Sequence, residues 1–237
     1  TEERLSEFGD RSIVVYGGFS NIGKILKTAG FSGVSGFLAD FGTSRHQIEN
    51  YDGFSFSKNS PLDMRMSKGY SKNTAEKILS KASEREIAHI LYVYGEELAA
   101  RRIARAIVDA RKIRSIRTTF DLVKIVEQSI GSESKKSCYK RGIHPATKTF
   151  QALRIAVNSE LDQIKGFLNN CKNFLVFGGR IVCISFHSLE DRIVKESLKF
   201  DVNFCDITGG IVKPTNEEIN VNYSSRSAKM RVFEKKG

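Results

Sequence analysis

The sequence predicts an α/β fold, a sheet of parallel-type strands into which an all-helical domain is inserted. Short apolar runs ending in Gly or Asp turns lie near the front and the rear of the chain, whereas a long middle stretch carries helical periodicity with no strand signal. Two of the apolar runs stop at clusters of polar side chains, the arrangement expected where strands deliver functional groups to a crevice.

Taken in order, Ser12 to Tyr16 (SIVVY), followed by Gly17-Gly18-Phe19-Ser20, reads as a short buried strand closed by a glycine turn. After an amphipathic segment (Ile22, Ile25, Leu26), Val34 to Ala39 forms a second strand that stops at Asp40-Phe41-Gly42-Thr43-Ser44. That places a carboxylate at the carboxyl end of a strand, where open α/β sheets bind ligands. A polar, Gly- and Ser-rich stretch from Asn50 to Ser71 follows, then helices through Thr74 to Gln128. Gly131 to Lys140 (GSESKKSCYK) is expected to be a mobile loop closing the insertion.

From Thr149 one long helix is signalled by Phe150, Leu153, Val157, Leu161, Ile164 and Leu168, and it should pack back on the sheet. Phe174 to Phe177 and Gly178-Gly179 read as a helix exit and a turn. Arg180 to Ser185 (RIVCIS) is then a strand ending in Phe186-His187-Ser188-Leu189-Glu190-Asp191-Arg192. A helix over Leu189 to Lys199 and strands near Ile207 to Val212 and Met230 to Phe233 complete the pattern. The boundaries are 1–52 and 144–237 for the α/β domain and 53–143 for the helical insertion.

A chain of 237 residues, 40% hydrophobic and 27% charged, suffices for one full core and a smaller domain. No run approaches the roughly 18 apolar residues of a membrane span. The acidic first residues, Thr1 to Glu7, do not resemble a signal peptide, so a cytoplasmic location is expected. Cys138, Cys171, Cys183 and Cys205 lie far apart, without zinc-site spacing or disulfide density, and read as reduced thiols.

The formal net charge of +11 suits a polyanion partner, since each phosphate contact releases counterions, although a solvated Lys-rich surface has the same composition. Arg101, Arg102, Arg105, Arg111, Lys112, Arg114 and Arg117 concentrate that charge, with Arg101, Arg105 and Lys112 on one helical face. A face of this kind contacts RNA backbone or is simply solvated.

Three segments carry a more specific signal: DFGTSRHQ (Asp40 to Gln47), GFSF with PLDMRM (Gly53 to Met66), and HPATKTFQALRIAVNSEL followed by GGRIVCISFHSLEDRIVK. Together they resemble the bacterial small-subunit ribosomal RNA cytosine-N4 methyltransferases, the family called RsmH or MraW, from about Ile13 to Phe233. The resemblance implies a Rossmann-like class I methyltransferase sheet with an inserted helical substrate-recognition domain, S-adenosyl-L-methionine as cofactor, and small-subunit (16S) ribosomal RNA or the small subunit as partner. No metal is required by that chemistry.

The family's cofactor positions match Phe19, Asp40 and Gln47 here. An aromatic face stacks on adenine, a carboxylate binds a hydroxyl, an amino group or the cationic methionine end, and an amide donates and accepts. The alternatives are a core phenylalanine, a capping aspartate and a solvated glutamine. Asp40 is the first candidate for the acceptor that activates the cytidine amino group, with Ser44, Arg45, His187, Ser188, Glu190 and Asp191 lining the base pocket. For His187, Glu190 and Asp191 the alternative is helix capping and charge placement. Asp63 and Arg65 either pair with each other or order a loop over the site; Arg65 joins Arg45, Arg101, Arg105 and Lys112 as candidate RNA contacts.

The family pattern begins with a strand, a DGTxGxGGHS loop and a second strand with an acidic end, none of which occurs in these residues. Arg45-His46 stands where the family usually has Ser-Pro, and Ser67 where it has Asp. The expectation is an N-terminally incomplete sheet in a truncated or processed chain, with weakened cofactor affinity. The rival reading is a catalytically silent RNA-binding remnant.

Overall fold

The computed structural model describes residues 2–69, 71–140 and 142–237; Thr1 of the acidic start, Tyr70 of the Gly- and Ser-rich stretch and Arg141 lie outside the described residues. The chain divides into two compact units, one holding the residues up to Gly42 together with Leu161–Gly237, the other Thr43–Glu160.

The front of the first unit carries α1 (Glu2–Leu5), α2 (Ile22–Thr28) and β1 (Val34–Asp40). Ser12 to Tyr16 does not form the expected strand: the segment joins no ladder, and Ile13 and Tyr16 are 64% and 82% exposed. Apolar residues make a strand only where a neighbouring strand takes up their N–H and C=O groups, and this segment pairs with no strand among the described residues.

The second unit holds the helices α3 (Arg45–Asn50), α4 (Ala75–Lys81), α5 (Glu84–Gly95), α6 (Ala100–Ile113), α7 (Thr119–Ser129), α8 (Ser132–Lys140) and α9 (Thr147–Asn158), with an irregular stretch between α3 and α4 that bridges Pro61 to Thr118. Its helix starts are written in the sequence. Ser44, Ser83 and Thr118 each accept the N3 amide while Gln47, Glu86 and Asp121 reach back, completing three capping boxes. Ile87 and Leu91 of α5, Ile103 and Ile107 of α6, Leu122 and Val126 of α7, and Phe150 and Leu153 of α9 fill one core. At roughly 25 cal/mol per Å2 of apolar surface, such burial is what holds these short helices, which would be marginal in isolation.

Gly131 to Lys140 is helical rather than a mobile loop. Past Gly131 it contains no helix breaker, Lys136 pairs with Glu133 one turn back, and the Tyr139 hydroxyl donates to Glu127 of α7 at 2.9 Å.

The single long helix expected from Thr149 is two helices. Ser159 takes a left-handed conformation (φ 50°) that ends α9, and α10 (Glu160–Phe174) begins at the next residue. The shared apolar period therefore serves two cores: Phe150, Leu153 and Val157 in the helical unit, Ile164 and Leu168 beneath the sheet.

The first unit resumes with α10, β2 (Leu175–Ser185), α11 (Ser188–Val194) running into a π-helical turn Lys195–Lys199, β3 (Phe204–Asp206), α12 (Asn216–Val221) and β4 (Lys229–Lys235). The sheet order is β1-β2-β4-β3; β1 and β2 are parallel, and β4 is antiparallel to both its neighbours. Gly178-Gly179 is a bulge inside β2, not a turn before it: pairing jumps from Val34–Leu175 to Gly36–Arg180, and a Cβ on Gly179 would sit 2.7 Å from the Leu175 side chain. The late strand falls at Phe204–Asp206 rather than Ile207 to Val212, a stretch in which the Ile207 amide donates to the Val232 carbonyl and Val212 bridges Met230. The result is a mixed α/β sheet consistent with a Rossmann-like methyltransferase.

Candidate active site

β1 and β2 end side by side. Asp40 pairs with Ile184, and the amide of Phe41 donates to the Ile184 carbonyl at 3.0 Å, so the residues that follow both strands emerge at one place. After β1 the chain turns at Gly42 (φ 94°), a backbone conformation that suits glycine. After β2, His187 opens α11 with a capping box of its own. Its Nδ1 accepts from the Glu190 amide at 3.4 Å, and the fully buried Glu190 carboxylate accepts from the amides of Phe186 (2.8 Å) and His187 (3.3 Å). An accepting Nδ1 leaves the ring proton of the neutral imidazole on Nε2, which lies 3.2 Å from Glu190 Oε1.

Asp40 faces this anion. Desolvation first, and then the charge of Glu190, raise its carboxyl above the usual carboxylate range. Phe19 stands in a group of rings: its centroid lies 5.9 Å from Phe41 and 6.0 Å from Phe167, while Phe19 itself remains 41% exposed. One side of the ring is thus packed and another open. Ser188 is half-buried at the first turn of α11. Asp191 is held away from such work: Arg231 of β4 binds it through two hydrogen bonds of 2.7 and 3.0 Å, both groups nearly buried.

In the helical unit, Ser44 and Gln47 cap α3 reciprocally, with Ser44 Oγ accepting the Gln47 amide and Gln47 Oε1 accepting the Ser44 amide. Arg45 is exposed and bonded to Glu49 at 2.6 Å. Asp63 and Arg65 pair with each other, Nε to Oδ1 at 2.6 Å and Nη2 to Oδ2 at 2.7 Å, which lowers the aspartate pKa. On α6, Arg105 lies 3.6 Å from Glu84, Lys112 is bonded to Asp109, and Arg111 donates to the carbonyls of Leu79 and Ala82, closing the end of α4. The Arg101 and Arg102 side chains are exposed and enter no ion pair or hydrogen bond among the described residues.

Two polar clusters were not anticipated from the sequence. Arg154 holds the buried Glu160 through Nε and Nη2 (2.8 and 2.9 Å) and donates to Thr43 Oγ1. Asn158 donates to the Met64 carbonyl and accepts from the Met66 amide, both at 2.8 Å, fixing the buried Met64 at φ 61°. The signal was present as polar residues set within the apolar period of HPATKTFQALRIAVNSEL; a periodicity reading assigns them to solvent.

The model of the MraW methylase family matches residues 1–236. The chain is 45% identical over 236 residues to the protein named ribosomal RNA small subunit methyltransferase H of Desulfotalea psychrophila, covering 99% of this chain and 78% of that one. It is 44% identical to the proteins of that name in Methylococcus capsulatus (94% of this chain, 77% of the relative) and Thermotoga neapolitana (98% and 76%). The strand-end carboxylate, the aromatic group beside it and the capped α11 are thus found in a chain that matches the family end to end, and the protein belongs to the MraW methylase family, the methyltransferases.

Proposed function

We propose that the protein transfers a methyl group from S-adenosyl-L-methionine to the exocyclic N4 of a cytidine in small-subunit (16S) ribosomal RNA, in the cytoplasm where those subunits are found. The observation that carries this reading is the raised, solvent-reaching carboxyl of Asp40 at the joint end of two parallel strands.

The donor fits these residues on two counts. Phe19 offers an open ring face to a purine, and Asp40 offers carboxylate oxygens to a cationic or hydroxyl-bearing group. When bound, it supplies an electrophilic methyl group on a sulfonium. Asp40 accepts a hydrogen bond from the cytidine amino group, which localises the nitrogen lone pair, and takes up the departing proton; a raised pKa makes it the better acceptor. His187 and Ser188 position the base from the start of α11. In α3 the capping box uses acceptor oxygens only, so the Ser44 hydroxyl and the Gln47 amide group remain as donors for base and cofactor.

The helical unit recognises the RNA, with Arg101, Arg105 and Lys112 of α6 as backbone contacts supported by Arg45 and Arg65; a base inside folded RNA has to be unpaired to react. The test is transfer of labelled methyl from S-adenosylmethionine to unmethylated small subunits, read by nucleoside mass spectrometry. N4-methylcytidine is expected. Absence of product with RNA still bound would overturn the catalytic assignment and leave an RNA-binding remnant.

A further inference from the structure

Resting on the RNA reading above, we infer that a basic groove on the helical unit holds an unpaired RNA strand, with one base stacked on Tyr92 and its phosphates on five cations of α4, α5 and α6. A cavity of about 850 Å3 opens between α5 and the start of α6, lined by Arg85, His89, Tyr92, Leu98, Arg101 and Arg102. A second cavity, of about 590 Å3, shares Arg85 and His89 and continues past Lys77 and Lys81 of α4. The shared residues join the two into one path lined by Arg101, Arg102, Arg85, Lys81 and Lys77; the carboxylate on it, Glu86, is engaged by the Ser83 amide and hydroxyl in the α5 capping box.

Three features distinguish this path from an ordinary solvated face. All five cations are exposed, and none of their charged side chains enters an ion pair or hydrogen bond among the described residues, although Arg105 and Lys112 on the same α6 do find acids. Arg101 and Arg102 occupy the first turn of α6, which has no acidic residue of its own; the Glu97 carboxylate just ahead of it is bonded to the Ala99 amide at 2.9 Å and pairs with neither arginine, so two cations there still oppose the helix dipole and favour a further anion. Tyr92 and Leu98 are 63% and 92% exposed, an aromatic and an aliphatic surface in the midst of positive charge. Phosphate answers the first two features and a nucleobase the third, whereas a duplex, with its bases stacked inside, answers only the charge. Arg85, His89 and Tyr92 recur on α5 at helical spacing, so cation and ring are presented together.

The test measures binding of a labelled single-stranded oligouridylate and of an RNA duplex of equal length to the full chain, with salt titrated. Tyr92→Ala should weaken the single strand about tenfold and the duplex hardly at all, while Tyr92→Phe stays within about twofold of the parent. Arg85→Ala with Arg102→Ala should reduce the single-strand salt slope by about 1.4, at about 0.7 per lost phosphate contact. Helical circular dichroism unchanged in each variant shows that the unit is folded. If the parent binds both RNAs and these variants bind as the parent does, the groove inference fails while the RNA reading stands. If the parent binds neither RNA, the RNA reading fails and takes the inference with it. Displacement of the oligouridylate by polyglutamate at equal charge would overturn the nucleotide in favour of an acidic protein partner.

Discussion

Asp40→Asn removes the proposed acceptor and, with it, the like charge that faces the buried Glu190. Methyl transfer should fall at least about 100-fold, the usual contribution of a positioned proton acceptor, while the melting temperature does not fall. The sign follows from linkage. A carboxyl with a folded pKa above its unfolded value binds protons more tightly when folded, so its contribution to stability is present below the unfolded value and is lost as pH rises through the folded one. Activity runs the other way: the acid limb of the transfer rate should lie above the ordinary carboxylate range, and Glu190→Gln, which removes the facing charge, should move that limb to lower pH. A limb that ignores Glu190 would dissociate the two groups. Asp40 itself was legible in the sequence because a carboxylate interrupts the apolar run VSGFLAD at its end. The environment of Asp40 was not, since Glu190 lies far along the chain and its buried state depends on amides that only the start of α11 brings together.

Among the elements, those with local signals were legible: β1, the second half of β2 and the capped helices α5 and α7. The failures lay where a partner decides. Ser12 to Tyr16 has strand composition but no ladder, and the run from Thr149 has one period but two cores. Two element-scale predictions follow the polar clamps. Asp191→Ala leaves Arg231 buried without its partner and should cost about 3–5 kcal/mol in denaturant melts, whereas Asp191→Leu with Arg231→Met should recover most of that loss. Asn158→Ala frees both the Met64 carbonyl and the Met66 amide and leaves the left-handed Met64 backbone held by its own amide, which donates to the Asp52 carbonyl at 2.9 Å. A loss of about 2–4 kcal/mol is expected, at about 1–2 kcal/mol per orphaned group. Equal melts for Asn158→Ala and the parent would show that packing and the Met64–Asp52 backbone bond suffice to hold Met64.

At the level of the molecule, excess positive charge and exposed cations on the helical unit predict RNA affinity that falls steeply with salt, and Arg101→Glu should lower it for every RNA sequence tried. A variant with unaltered salt dependence would remove α6 from the interface. The charge was visible in composition; its sorting into paired and unpaired groups was less so, because Asp109 meets Lys112 within one helix at i,i+3 but Glu84 reaches Arg105 only once α5 and α6 are folded and adjacent.

The parallel pair β1 and β2 is the sheet's most separated contact in sequence, since all of Thr43–Glu160 lies in the connection between them. Closing so long a loop before any ladder forms is slow, whereas each helix of the second unit closes its own hydrogen bonds between residues near in sequence. Refolding should therefore show helical ellipticity rising before the sheet assembles. Cys183 on β2 is a reporter placed for this purpose: it is 1% exposed, and burial pushes its thiol up to about 12, so it resists alkylation in the folded protein. Pulsed alkylation during refolding should find Cys183 reactive after the helices have formed and protected only when β1 docks, which would make the last step to native structure also the one that assembles the strand-end site.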